Sequence, residues 1–258
     1  MAFKRLSATI LIQNDQVVKS YQFMRFYPFG SLGTALTILD KWCVDEIIIL
    51  DISRKRSLSD YVLHQISTSY ISTPLIYGGG ISNIDDVTRL ISLGCDRIIV
   101  EDALFSNHHL IHLVANKFGS QAVIGSLPMS FSSDSSIVPS FPDYIYQNYP
   151  NCSVTQLLDV CEELPLSEIL VTDFRNEGCY DTFDLNLPAY VFHVALFSKG
   201  VLFYGGLSET LVQDTLKYQN TVGLLFGNPN LENELFIPSL KAQFKKCPLF
   251  RPLSSLPD

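Results

Sequence analysis

The 258 residues carry a formal net charge of −8, with 47% hydrophobic and 17% charged side chains, a pI near 5.1 and a mean hydropathy of +0.20. That balance excludes a disordered chain and gives material for a large core. It also excludes a membrane-spanning protein, because no apolar run approaches the ~18 residues a helical span needs, and a nucleic-acid binder, because KRLS, RKRS and FKK are short and scattered.

The start, MAFKRLSATILIQNDQ, has a basic head but only a short apolar run, so no signal peptide is expected. The cysteines (Cys43, Cys95, Cys152, Cys161, Cys179 and Cys247) form no C-x-x-C pair and read as packed, reduced thiols of a cytoplasmic protein. Partners are therefore expected among small molecules or other proteins, with no metal or cofactor indicated.

In chain order, a strand is predicted at 5–12, a helix at 34–43, and a strand at 45–52 whose successive isoleucines suit burial on both faces. A helix follows at 58–68 and a strand at 73–79. The next helix, 83–94, has Asn83 as N-cap and Gly94 as stop. Then come a strand at 96–103, a helix at 108–119 and a strand at 121–127. The Ser/Pro/Tyr-rich stretch 129–153 breaks the rhythm and is expected to be a loop or irregular hairpin insertion. Beyond it a helix (154–164), strand (167–173), helix (185–196), strand (200–206), helix (208–219), strand (221–227) and final helix (231–246) follow.

Eight strands alternating with helices imply parallel pairing by right-handed crossovers. The α/β fold class expected is a (β/α)8 TIM barrel, a single domain over 1–258; an open doubly wound sheet is the alternative. The chain also resembles itself: DEIIILDIS matches SEILVTDFR, IYGGGIS matches FYGGLS, and CDRIIVEDALF matches TVGLLFGNPNL, each pair roughly 125 residues apart. This predicts a twofold half-barrel repeat. Two glycine turns, Gly79–Gly80 and Gly205–Gly206, would then face the same end and admit two phosphates; tight βα turns are the alternative explanation.

KR at 4–5, VVK at 17–19, DEIIILDI, GGGI at 78–81, GCDRI at 94–98, FGSQAV at 118–123, GCYDT at 178–182 and GG at 205–206 together resemble the cyclase subunit of imidazole glycerol phosphate synthase. The resemblance spans nearly the whole chain outside 129–153. It implies a twofold-repeated barrel whose floor receives ammonia from a class I glutaminase partner, and whose mouth closes an imidazole ring on a bisphosphorylated ribonucleotide, a lyase reaction. It implies two mouth carboxylates acting as acid and base. Leu11 and Pro128 occupy those positions, and neither can move a proton, so the catalytic groups are unassigned; Asp51, Glu101 and Asp102 are the nearby carboxylates to weigh.

The resemblance further implies phosphate contacts at Gly79, Gly80, Gly205, Gly206, Gly227 and Asn228. At a third phosphate position stands Glu101-Asp102, an unfavourable neighbour for a dianion. It implies a charged ring at the ammonia entrance, formed by Arg5, Glu46, Arg97 and Glu168, to be read as a working gate or as a structural plug. Paralogues of this family with a hydrophobic residue at the first carboxylate position serve sugar amidation in surface-polysaccharide synthesis. A non-catalytic scaffold and a genuine histidine-pathway cyclase are the other readings. His108, His109 and His112 have helical spacing, but a packed helix start is expected rather than a metal site.

Overall fold

The structure, a computed structural model, describes residues 3–131, 136–140 and 153–244. Eight parallel strands close into a barrel: β1 (Arg5–Gln13), β4 (Ile47–Asp51), β5 (Leu75–Gly78), β6 (Arg97–Val100), β7 (Val123–Phe131), β9 (Glu168–Asp173), β10 (Gly200–Tyr204) and β11 (Thr221–Phe226). Closure is made by β11 on β1, in the register Arg5↔Gly223 and Ser7↔Leu225. The expected barrel is thus present, and the open sheet is excluded.

Alternation along each strand builds two apolar layers. On β4, Ile47 and Ile49 point outward into the shell between sheet and helices, while Ile48 points into the lumen. Both faces being buried is why this strand reads as a continuous apolar run. The lumen is filled by Ile48, Ile76, Ile99, Ile124, Leu170, Leu202, Tyr204 and Leu225, one or two from every barrel strand but β1, the packed interior that small closed barrels require.

The helices lie between the strands: α1 (Leu32–Lys41), α2 (Asp60–Thr68), α3 (Ile84–Ser92), α4 (Ala103–Ser106), α5 (His108–Phe118), α6 (Val154–Glu163), α7 (Asn186–Ala189), α8 (Val212–Leu216), α9 (Asn228–Glu232) and α10 (Phe236–Gln243). Asn83 caps α3 in a full capping box with Asp86, and Gly94 follows at φ +102°, as the sequence predicts. The second half is less regular than predicted. The helix expected over 185–196 is one turn (α7) followed by a wide turn over Tyr190–Val194, and the last expected helix divides into α9 and α10.

Two features are additional to the sequence reading. After β1 the chain folds back as β2 (Gln16–Tyr21) and β3 (Arg25–Gly30), an antiparallel hairpin extending above the barrel rim. Likewise β7 runs past its predicted end at 127 to Phe131 and pairs with a short β8 (Ile137–Pro139). So 129–153 is partly sheet. Its residues 132–135 and 141–152, with Asp134 and the tyrosines of 144–149, lie outside the described residues. Hairpins after the first and fifth barrel strands repeat the halves once more. The glycine turns repeat too: a Cβ on Gly79 would lie 2.2 Å from Asp51 O, and one on Gly205 2.4 Å from Asp173 O. Their bareness is therefore already required by the preceding strand's own backbone.

Candidate functional site at the barrel mouth and floor

Strand alternation sorts the site residues by depth. On β1 the inward series is Arg5, Ser7, Thr9 and Leu11, rising from floor to mouth. On β6 it is Arg97 and Ile99, with Glu101 directly after the strand, and on β7 it is Ile124, Ser126 and Pro128.

At the floor the four expected charges form a closed ring. Arg5 Nε lies 3.0 Å from Glu46 Oε2 and Arg5 Nη2 2.6 Å from Glu168 Oε2. Arg97 Nη2 lies 2.9 Å from Glu168 Oε2, and Arg97 Nη1 3.6 Å from Glu46 Oε1. Ser7 Oγ donates to Glu46 Oε2, and Ser167 Oγ accepts from Arg97. The two carboxylates differ. Burial pushes both upward, but at Glu168 Arg97 and Arg5 more than offset it and hold the carboxyl below its ordinary range. At Glu46 the same two arginines offset only part of the burial, and its carboxyl stays above. Above the ring, Thr9 Oγ1 is buried without a hydrogen-bond partner among the described residues.

At the mouth, Leu11 is 3% exposed and Pro128 is buried. Proline lacks an N–H and is tolerated where β7 leaves the barrel; its carbonyl accepts from Ser140 N at 2.8 Å. One strand away, Glu101 accepts from Ser126 Oγ at 3.0 Å, and burial pushes its carboxyl up to about 7. Asp102 lies 3.8 Å from Arg56. Asp51 caps its own turn, accepting from Ser53 N at 2.9 Å.

Asp173 is the counterpart of Asp51 in the second half. It accepts from Asn176 Nδ2 and Asp184 N, both at 2.8 Å, yet burial still raises it to about 6. A raised folded value means that the native state binds the extra proton, so stability falls as pH rises from the unfolded value toward 6. Asp173→Asn keeps an acceptor for both donors and removes the charge. It should gain about 2 kcal/mol over the parent at pH 8 and nothing at pH 3.5, read from urea unfolding at the two pH values.

No three His, Cys, Asp or Glu residues gather into a metal-sized cluster among the described residues. His108 Nε2 lies 2.7 Å from Leu104 O, while His109 and His112 face solvent.

Gly205, Gly206, Gly227 and Asn228 come together in a cleft of about 450 Å³, with Tyr21, Tyr180, Tyr204, Glu209 and Glu232 also in its wall. No Lys or Arg among the described residues lines it, and the Asn228 amide is spent on Ser20 O and Gly178 O. Lys19 lies 2.9 Å from Glu232 and over the Phe29 ring.

Sequence reasoning missed the residues that close the mouth. Gln22 and Phe23, both at positive φ, form the tip of the β2–β3 hairpin. Phe23 packs against the lumen residues and stacks on Phe174, with ring centroids 5.1 Å apart. The tip is held by Glu177, which is fully buried. Its carboxylate accepts from Ser20 Oγ (2.7 Å), Phe23 N (3.1 Å) and the Tyr204 phenol Oη (3.0 Å), and its carbonyl accepts from Gln22 N (2.8 Å). The one signal in the sequence was a carboxylate directly before Gly178, a glycine at φ +76°.

A closed barrel with a salt-bridged floor and a mouth bounded by the loops after its strands is a (β/α)8 TIM barrel. Comparison then narrows the class. The model of the histidine biosynthesis protein family matches residues 5–233, and the chain belongs to that family. It is 30% identical over 191 residues to the imidazole glycerol phosphate synthase subunit HisF of Lactococcus lactis subsp. cremoris, covering 72% of this chain and 73% of that protein. It is 27% identical over 256 residues to the Staphylococcus saprophyticus subunit, covering 95% and 98%. It is also 30% identical over 184 residues to a protein of Campylobacter jejuni named as a putative imidazole glycerol phosphate synthase subunit hisF2, covering 71% and 72%. No helix among the described residues is long and apolar enough to cross a membrane.

Proposed function

We propose that this barrel receives ammonia through its floor from a class I glutaminase partner and no longer performs the family's cyclase reaction. The observation that carries the reading is the contrast between its two ends. The floor keeps a complete ring of two arginines and two glutamates, whereas the mouth presents Leu11 and Pro128 where proton transfer would need carboxylates. A purely structural floor has no need of four partly buried charges, which are costly to desolvate. Ammonia delivered to such a mouth would serve an acceptor other than the cyclase substrate, and amidation of a sugar in surface-polysaccharide synthesis is the acceptor class we favour. Phosphate at the Gly205–Gly206 and Gly227–Asn228 cleft is retained as a ligand only if a cation accompanies it, since Glu209 and Glu232 line the same cleft, and Gly79–Gly80 remains the other candidate phosphate turn.

The test needs no glutaminase. The purified chain, ammonium salt in excess at alkaline pH and the family's bisphosphate substrate should give no turnover above background while the protein remains folded. Turnover would restore the histidine-pathway cyclase and direct attention to Glu101 as the replacement carboxyl. A second reading, a barrel kept only as a scaffold for its partner, is favoured by the Phe23 seal at the mouth. Transfer of glutamine-derived nitrogen to an acceptor in the presence of a glutaminase would exclude it.

A further inference from the structure

The lumen has a wall of isoleucine and leucine, a floor of ion pairs and, at its upper end, the ring of Phe23. That ring is not there by hydrophobic packing alone. Gln22 and Phe23 sit at φ +57° and +51°, a region disfavoured for non-glycine residues and maintained only where the surroundings over-determine it. The surroundings here are the 174–178 loop. Gln22 N donates to Glu177 O, Gln22 Nε2 to Arg175 O at 2.7 Å, and Phe23 N to the Glu177 carboxylate. The same carboxylate accepts from Ser20 on the hairpin and from Tyr204 at the end of β10, whose own ring belongs to the lumen. A side chain on Gly178 would collide with Ser20 O, so hairpin and loop are in direct backbone contact.

We infer that Glu177 is a positioning residue that latches the β2–β3 hairpin so that Phe23 stoppers the upper end of the lumen, and that ammonia leaves the barrel only when this hairpin lifts. The inference rests on the ammonia-conducting reading for its purpose but not for its geometry. Three donors converge on one buried carboxylate from hairpin, loop tip and barrel wall, so losing it releases all three at once. Outward, β3 is an edge strand with Tyr27 and Phe29 exposed, and the ties from Lys19 to Glu232 and from Asn228 to Ser20 O hold β2 rather than the tip. The latch is therefore on the inner side, where it sets the position of Phe23.

The test uses the full chain with one reporter thiol, Ile99→Cys, inside the lumen, and a small methanethiosulfonate reagent read peptide by peptide in a mass spectrometer. Cys161 is the internal control, since it is fully buried away from the lumen and burial pushes its thiol up to about 12. In the reporter background both thiols should label slowly. Phe23→Ala should speed labelling at position 99 by roughly tenfold or more with Cys161 unchanged, as local opening without global unfolding requires. Glu177→Gln, which keeps the shape but turns one acceptor into a donor, should do the same to a smaller degree. Unchanged labelling at position 99 in both variants would overturn the inference, and so would a parallel rise at Cys161, which would mean that the residues merely stabilise the fold. Neither result touches the ammonia reading, which falls instead if glutamine-derived nitrogen never crosses a barrel with Phe23→Ala.

Discussion

Glu168→Gln is expected to cost the folded chain about 3 kcal/mol at pH 7, at the low end for breaking a buried pair because Arg5 keeps a quarter of its side chain in solvent. Glu168 Oε2 accepts from both arginines, at 2.6 and 2.9 Å. A neutral amide leaves two guanidinium groups facing a single Glu46 across the barrel axis. The sign with pH follows from the direction of the shift. A carboxyl held below its unfolded value contributes stability that is present above that value and is lost as pH falls through the folded one. Parent and variant should therefore be fully separated above pH 5 and converge as pH falls through the folded value of Glu168, which lies below the ordinary glutamate range. Glu46→Gln should behave differently, because burial outweighs the arginines there and its carboxyl stands above the ordinary range. It should cost less at pH 7 than Glu168→Gln. Urea unfolding of both variants across pH decides the matter, and equal losses would mean that the ring holds its two carboxylates alike.

The barrel was legible because its signal is long-range and redundant. Each doubly buried strand carries a run such as Ile47–Ile49, and each half repeats the other at Gly79 and Gly205. The floor ring was legible through the resemblance, and the structure joins its four members. What could not be read is where the chain leaves the barrel. The β2–β3 hairpin contains Pro28 and the exposed Tyr27 and Phe29, an edge pattern that resembles a loop. Its tip uses Gln22 and Phe23 at positive φ, where Asn or Gly would have announced a turn. Apart from its place before Gly178, Glu177 carries no sequence signal of its role, because its three donors come from positions 20, 23 and 204. A role made by convergence of distant segments has no local signature. The glycine turns show the reverse: a local signature with two physical causes, one of them the packing of Asp51 O and Asp173 O against bare backbone.

A carboxylate placed at position 11 should harm the protein. Leu11→Asp is expected to destabilise the fold by about 4 kcal/mol at pH 8, since it places an unpaired charge where the parent side chain is 3% exposed. On β1 its inward neighbour below is Thr9, and its register partner on β4 is Leu50, which packs on the lumen beside Phe23. No cation faces the site from these two strands; Glu101, directly after β6, is itself pushed up to about 7 by burial, and a second carboxylate at this level can only raise the cost. The new group should therefore titrate well above its unfolded value, so the loss should grow as pH rises from 4 to 8 and shrink toward that of Leu11→Asn in acid. The Leu11→Asn control separates lost packing from charge, because its penalty should be flat with pH. A mouth still suited to cyclase chemistry would instead accept the carboxylate at little cost, as a site that binds a cationic or hydrogen-bonding substrate must. A flat profile for Leu11→Asp, equal to that of Leu11→Asn, would show that the mouth is polar and wet at this position.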